Sequence, residues 1–190
     1  RKTSAASPIR AEIWTEGKTD WRIYKKAFQS LGFDWNIEFH ESDKDMGGDK
    51  LLKVIQTFAE TKHEYPRIGI FDHDDKKIIP DVTSPDAAYK DWGNNVYSFA
   101  IPAPGHRQDY ENICIELYFT DEEIHRKDAQ GRQLFLTSDF HAKSGNHLGI
   151  PGIHCTRLTY LKDFTGSTKA KIVDDDVFDA NNENIALSKS

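Results

Sequence analysis

Two short apolar segments that each end in carboxylates constrain this chain more than any other feature. Ile9 to Thr15 is followed by Glu16, and Arg67 to Phe71 is followed by Asp72-His73-Asp74. Both segments have the length and composition of buried strands in a parallel sheet. The carboxyl ends of parallel strands lie along one edge of the sheet, where ligands bind. If the two strands are neighbours, their acidic side chains meet at that edge.

Helical spacing of apolar residues follows the first two predicted strands, and Gly32 is placed to end the first helix. The pattern predicts an α/β fold with a mostly parallel, Rossmann-like central sheet of about four strands flanked by helices. The predicted elements are a strand at 9–15, a helix from Thr19 or Asp20 to Leu31, a strand at 35–40, a helix over 51–59 after Gly47-Gly48, and strands at 67–71 and 95–101. Residues 80–92 mix turn residues with a short helix.

Beyond Pro102-Ala103-Pro104-Gly105 the regular alternation weakens. We expect Glu111 to Phe119 to be helical and Asp121-Glu122-Glu123 to open a short helix. The segment from Gly131 to Phe164 is interpreted as an irregular insertion. The expected organisation is one compact domain, with a core at 1–120 and an irregular insertion with the C-terminal completion of the same domain at 121–190.

Composition narrows the function classes. The chain has 37% hydrophobic and 29% charged residues, and its apolar runs are only a few residues long, so we expect no membrane partner. Two cysteines are too few for a disulfide framework, which favours the cytoplasm. A formal charge of -6 argues against a generic basic nucleic-acid binder but not against an enzyme that collects carboxylates for a metal. The chain begins with Arg rather than Met, which suggests a fragment of a larger protein.

The Asp-x-Asp pattern favours metal chemistry. If the segment after the strand stays extended, Asp72 and Asp74 lie on the same side and His73 points away. Mg²⁺ prefers oxygen ligands and commonly takes one or two protein carboxylates together with a substrate phosphate. Phosphodiester chemistry is therefore the leading hypothesis. The alternative is a solvated turn after a buried strand, where Asp is common.

Three segments together resemble a known family. Glu16-Gly17-Lys18-Thr19-Asp20, then Gly47-Gly48, then Phe71-Asp72-His73-Asp74 are similar in order and spacing to the TOPRIM domain of topoisomerases, primases and several nucleases. The Glu-Gly-x-Thr-Asp form most resembles the OLD (overcoming lysogenization defect) nucleases and related bacterial TOPRIM defence effectors. The resemblance covers Ile9 to about Phe119.

The resemblance implies roles for individual residues. Glu16 would be a metal ligand or a general acid/base, and Asp72 and Asp74 would be the metal-binding pair. Further acidic metal ligands would be Asp20 and, after the fourth strand, Glu111 and Glu116. Lys189 is similar in context to a lysine near the end of the OLD-type domain. It would neutralise charge on the pentacovalent phosphorane.

The implied function is a TOPRIM endonuclease that uses Mg²⁺ or Mn²⁺ in a two-ion mechanism. The expected substrate is nucleic acid, DNA in preference to RNA, and the expected setting is an anti-phage defence system with an ATPase domain or subunit. A homo-oligomer of this chain is a further possible assembly. The alternatives are primase- or topoisomerase-type nucleotidyl transfer, and a non-catalytic nucleic-acid-binding or regulatory module.

Two other site types are not favoured by the sequence. The spacing of His141, His147, His154 and Cys155 matches none of the compact ligand pairs of a structural zinc site. Gly17-Lys18-Thr19 lacks the preceding glycine of a phosphate-binding loop, so no ATP site is expected within the chain.

Overall fold

A computed structural model describes residues 10–33, 36–164 and 169–187. The chain divides into two compact units, one ending at Ile101 and the other beginning at Pro102. The sequence prediction instead placed the boundary between core and insertion after residue 120. That residues 121–190 complete the same domain stays a prediction. None of the helices in the described part of the chain has the length and apolar character needed to cross a bilayer.

The first unit is an α/β structure built on a five-stranded sheet. Its strands are β1 (Arg10–Thr15), β2 (Asn36–Phe39), β3 (Arg67–Phe71), β4 (Lys90–Gly93) and β5 (Val96–Ala100). In space the order is β2-β1-β3-β5-β4, with every pairing parallel except that of β4 with β5. The predicted mostly parallel sheet is confirmed, and it is compatible with a Rossmann-like fold.

Helices α1 (Asp20–Ser30), α2 (Gly48–Ala59) and the short α3 (Ile79–Val82) accompany this sheet. The predicted end of α1 is confirmed, since Gly32 has a φ of 69° that suits glycine after a helix. Leu51 and Ile55 of α2 are fully buried and share one core cluster with Phe71 of β3. The helical spacing seen in the sequence thus reflects packing on the sheet.

The prediction of about four strands missed β4. Residues Asn94 and Asn95 both have positive φ, 56° and 65°, and form a two-residue hairpin loop between β4 and β5. Asparagine tolerates this conformation, and such loops join antiparallel strands. The Asn-Asn pair is therefore the sequence signal that was available for this strand.

The second unit is built from very short elements around its own core. They are α4 (Asp121–Ile124), β6 (Phe135–Leu136), β7 (His154–Cys155), α5 (Leu158–Asp163), β8 (Ile172–Val173) and β9 (Val177–Phe178). β6 pairs with β8 and β7 with β9, both antiparallel. The predicted helix at Asp121 is confirmed, and the Thr120 and Glu123 side chains cap it reciprocally.

The helix predicted over Glu111 to Phe119 is wrong. Only Ile115–Tyr118 forms a helical turn, of the 3-10 type, and Cys114 before it is extended. Ile113, Ile115 and Leu117 are all buried. Asn112 and Glu116 are buried as well, so burial is not confined to one face as on an amphipathic α-helix, and the spacing of Ile113 and Leu117 alone was misleading.

Candidate active site

The carboxyl ends of β1 and β3 meet, as the sequence predicted. The two strands are parallel neighbours, with Thr15 opposite Ile70. Glu16 and Asp72 follow them directly, and the Asp72 backbone N–H donates a hydrogen bond to Glu16 Oε1 at 2.9 Å. The contact joins residues 56 positions apart in the chain. Sheet order therefore creates this site.

The Glu16 carboxylate lies against the start of α2. A Cβ atom placed on Gly48 would be 3.2 Å from Glu16 Oε2 and 2.6 Å from the Cδ1 atom of buried Ile78. The absence of a side chain at Gly48 lets α2 begin this close to the carboxylate. Glycine at this position thus has a steric reason in the site itself.

Other carboxylates surround Glu16 and change its acidity. Burial raises the pKa of Glu16 from 4.5 to about 7, opposed by the hydrogen bond from Asp72 and reinforced by the charges of Asp74, Asp20 and Asp75. Perturbed carboxyl groups of this kind are frequent at functional sites. A cation at this point would relieve the repulsion that the clustered carboxylates create.

The neighbours of Glu16 are themselves held in place. Asp20, the first residue of α1, is buried, and its Oδ2 accepts a hydrogen bond from the Gly17 N–H at 2.7 Å. Asp74 is half-buried whereas His73 is exposed, which fits the predicted alternation along this segment. Asp75 was missed by the sequence prediction, although it directly follows the Asp-x-Asp pair. Its Oδ1 accepts the Lys77 N–H at 2.8 Å.

Three predicted site residues belong to the second unit. Glu111 and Glu116 belong to the second unit, where Glu111 lies 3.8 Å from the Lys169 Nζ and Glu116 is buried in the 3-10 turn. Lys189 falls outside the described residues. Their predicted roles as metal ligands and as a catalytic lysine stay predictions.

The donor set suits a hard cation. Within the described ranges, no group of three or more His, Cys, Asp and Glu side chains is arranged to hold a metal ion. The charged side chains that raise the pKa of Glu16 are all carboxylates, and Mg²⁺ commonly needs only one or two of these beside water and substrate phosphate. The residues present therefore fit Mg²⁺ or Mn²⁺ better than zinc.

Comparisons of the chain with protein-family models, curated proteins and solved structures give no match.

Proposed function

We propose that this protein is a TOPRIM-type nuclease that hydrolyses phosphodiester bonds with Mg²⁺ or Mn²⁺. The observation that carries the proposal is the contact between Glu16 and the Asp72 N–H at the joined ends of two parallel strands. This contact places the first glutamate of the motif beside the Asp-x-Asp pair. The charges of Asp74, Asp20 and Asp75 around the same carboxylate add support.

The residues of the site would have different roles in the reaction. When bound, the divalent cations would supply charge neutralisation at the phosphate and acidify the attacking water. Glu16, Asp72 and Asp74 would hold these cations, and Asp20 would contribute from the start of α1. In the alternative role that the resemblance allows, that of a general acid/base without a bound cation, the pKa of about 7 would suit Glu16 to exchange a proton near neutral pH. Gly17 and Gly48 leave space for the Asp20 carboxylate and the Ile78 side chain, which would lie 2.5 and 2.6 Å from an added Cβ atom.

The finer parts of the proposal rest on the resemblance to OLD-type enzymes. They are a DNA substrate in preference to RNA, two ions, and an effector role in anti-phage defence under the control of an ATPase domain or subunit. The roles that the resemblance implies for Glu111, Glu116 and Lys189 stay expectations from the sequence.

A cleavage assay on plasmid, single-stranded DNA and structured RNA tests the proposal. Cutting that needs Mg²⁺ or Mn²⁺ should fall by a factor on the order of 10² to 10³ in Asp72→Ala, because a cation ligand is lost. Glu64→Gln is the matched control, since this exposed carboxylate lies before β3, at the opposite end of the same strand. Equal cleavage by wild type and Asp72→Ala would refute the assignment, and primer synthesis from nucleotides would replace it with a primase.

A further inference from the structure

The loop between β2 and α2 (residues 40–47) is fastened at its start to the strand that carries Glu16. The His40 N–H donates to the Ile13 carbonyl oxygen of β1 at 2.8 Å. The His40 ring also stacks on Trp14, with centroids 3.6 Å apart and planes 8° from parallel. The loop therefore begins against β1, two to three residues before Glu16.

The end of the same loop is fastened to the turn that contains Glu16. The N–H groups of Met46 and Gly47 both donate to the Glu16 carbonyl oxygen, at 2.8 and 3.1 Å. Asp45 Oδ1 accepts the Lys18 N–H at 3.0 Å, and the two residues are 27 positions apart. Hydrogen bonds from one loop thus fix the backbone at Glu16 and two residues after it.

These bonds restrict where the Glu16 carboxylate can point. Its Oε1 accepts a hydrogen bond from the Asp72 N–H, and its Oε2 lies near Gly48, the first residue of α2. A shift of the Glu16 backbone would move Oε1 away from Asp72. Among the side chains of residues 40–47, that of Asp45 supplies the bond to the motif backbone, at Lys18.

We propose that Asp45 is a positioning residue for Glu16, acting through the Lys18 N–H. The inference rests on the proposed nuclease function for its catalytic meaning, but its geometric content is independent. Asp45 needs only an acceptor oxygen for this role, and asparagine keeps that oxygen while removing the charge. A metal ligand at the same position would need the carboxylate.

Three variants separate these roles. Asp45→Ala removes the acceptor, Asp45→Asn keeps it, and Asp43→Ala removes a carboxylate from an exposed neighbour in the same loop. The backbone amide resonance of Asp72, followed by ¹⁵N NMR, reports the hydrogen bond to Glu16 without requiring activity. We expect this resonance to move in Asp45→Ala only. In the cleavage assay kcat should fall on the order of tenfold in Asp45→Ala with KM little changed, because the reacting groups are misplaced.

The outcomes distinguish this inference from the proposed function. An Asp72 amide that does not move in Asp45→Ala overturns the positioning role. A kcat that falls as far in Asp45→Asn as in Asp45→Ala also overturns the positioning role, because the charge of Asp45 would then matter and not its acceptor oxygen. Cleavage that persists unchanged in Asp72→Ala refutes the nuclease assignment, while the amide resonance still decides the role of Asp45.

Discussion

The two units of this protein reach buried cores by different means. In the first unit, strands of five and six residues and the 12-residue helix α2 supply much of the core. In the second, the strands have only two residues each, yet Phe135, Val173 and Val177 are as fully buried as Leu51 and Phe71 of the first unit. The comparison shows that a tight core does not require long regular elements.

In the second unit, side chains form hydrogen bonds with backbone groups that have no partner strand. The buried Thr137 hydroxyl donates to the Phe164 carbonyl oxygen at 2.8 Å and accepts the Lys171 N–H at 3.0 Å. Asp139 Oδ2 accepts the Leu136 N–H at 2.7 Å and lies 2.8 Å from His125 Nε2. These contacts satisfy backbone groups that a regular sheet would pair with another strand. We therefore expect the second unit to respond more sharply to backbone changes.

The largest expected stability effect tests this expectation at Gly145. Its φ is 73°, and an added Cβ would overlap the backbone carbonyl oxygen of Cys155. Backbone atoms cannot move aside as a flexible side chain can. Gly145→Ala should lower the free energy of unfolding by about 4 kcal/mol, combining left-handed strain with overpacking. Urea unfolding measures this, and hydrogen exchange should place the lost protection in the second unit. A loss below about 1 kcal/mol would show that the backbone at Gly145 and Cys155 can shift to accommodate the added Cβ atom.

A pH-dependent effect of Glu16 is expected in the first unit. The pKa of Glu16 rises from 4.5 to about 7 on folding, chiefly because of burial. Folding therefore takes up a proton between these values, and stability is lost as pH rises from about 4.5 to 7 when no cation is bound. The loss should approach about 3 kcal/mol. The measurement is urea unfolding of wild type and Glu16→Gln at pH 5 and pH 8 in the presence of a chelator. The difference between the two proteins separates the contribution of Glu16 from that of the histidines. A wild-type-minus-variant difference that does not change with pH contradicts the assigned cause.

A smaller effect is expected at Gly69 of β3. A Cβ there would lie 2.8 Å from Ile55 Cγ1 and 3.0 Å from Phe71 Cε2, so it meets side chains rather than backbone. Gly69→Ala should cost about 2 kcal/mol, less than Gly145→Ala, because side chains can shift partly. The same urea measurement ranks the two variants. If Gly69→Ala is the more damaging change, the contrast between the two units is wrong.

The first unit could be predicted from the sequence because its helices and strands are encoded in patterns of neighbouring residues. Apolar spacing defines α2, and the short apolar run Arg67–Phe71 was predicted with its observed bounds. The meeting of Glu16 and Asp72 followed from a general rule about parallel strand ends. The two-residue strands of the second unit have no period to detect. Its β6–β8 pairing joins residues some 36 positions apart, such as Leu136 and Ile172.

Parts of the candidate site were beyond sequence reasoning for a related reason. The bond from Lys18 to Asp45 depends on how the loop after β2 returns to β1, and no motif connects these residues. Asp75 stood beside the predicted pair but was overlooked, because alternation selected only Asp72 and Asp74. The closeness of Gly48 to Glu16 depends on the path of α2 over Ile78. Motifs thus identified the centre of the site, and tertiary packing supplied its surroundings.

Direct titration with Mn²⁺ tests the central claim, that the carboxylates at the ends of β1 and β3 hold a catalytic cation. Calorimetry or electron paramagnetic resonance can follow binding to wild type, Glu16→Gln and Glu64→Gln at pH 7.5, without any partner protein. We predict that Glu16→Gln weakens Mn²⁺ binding by about tenfold or more, since a charged oxygen ligand is lost, whereas Glu64→Gln binds as wild type does. Equal Mn²⁺ affinity in wild type and Glu16→Gln would contradict the claim.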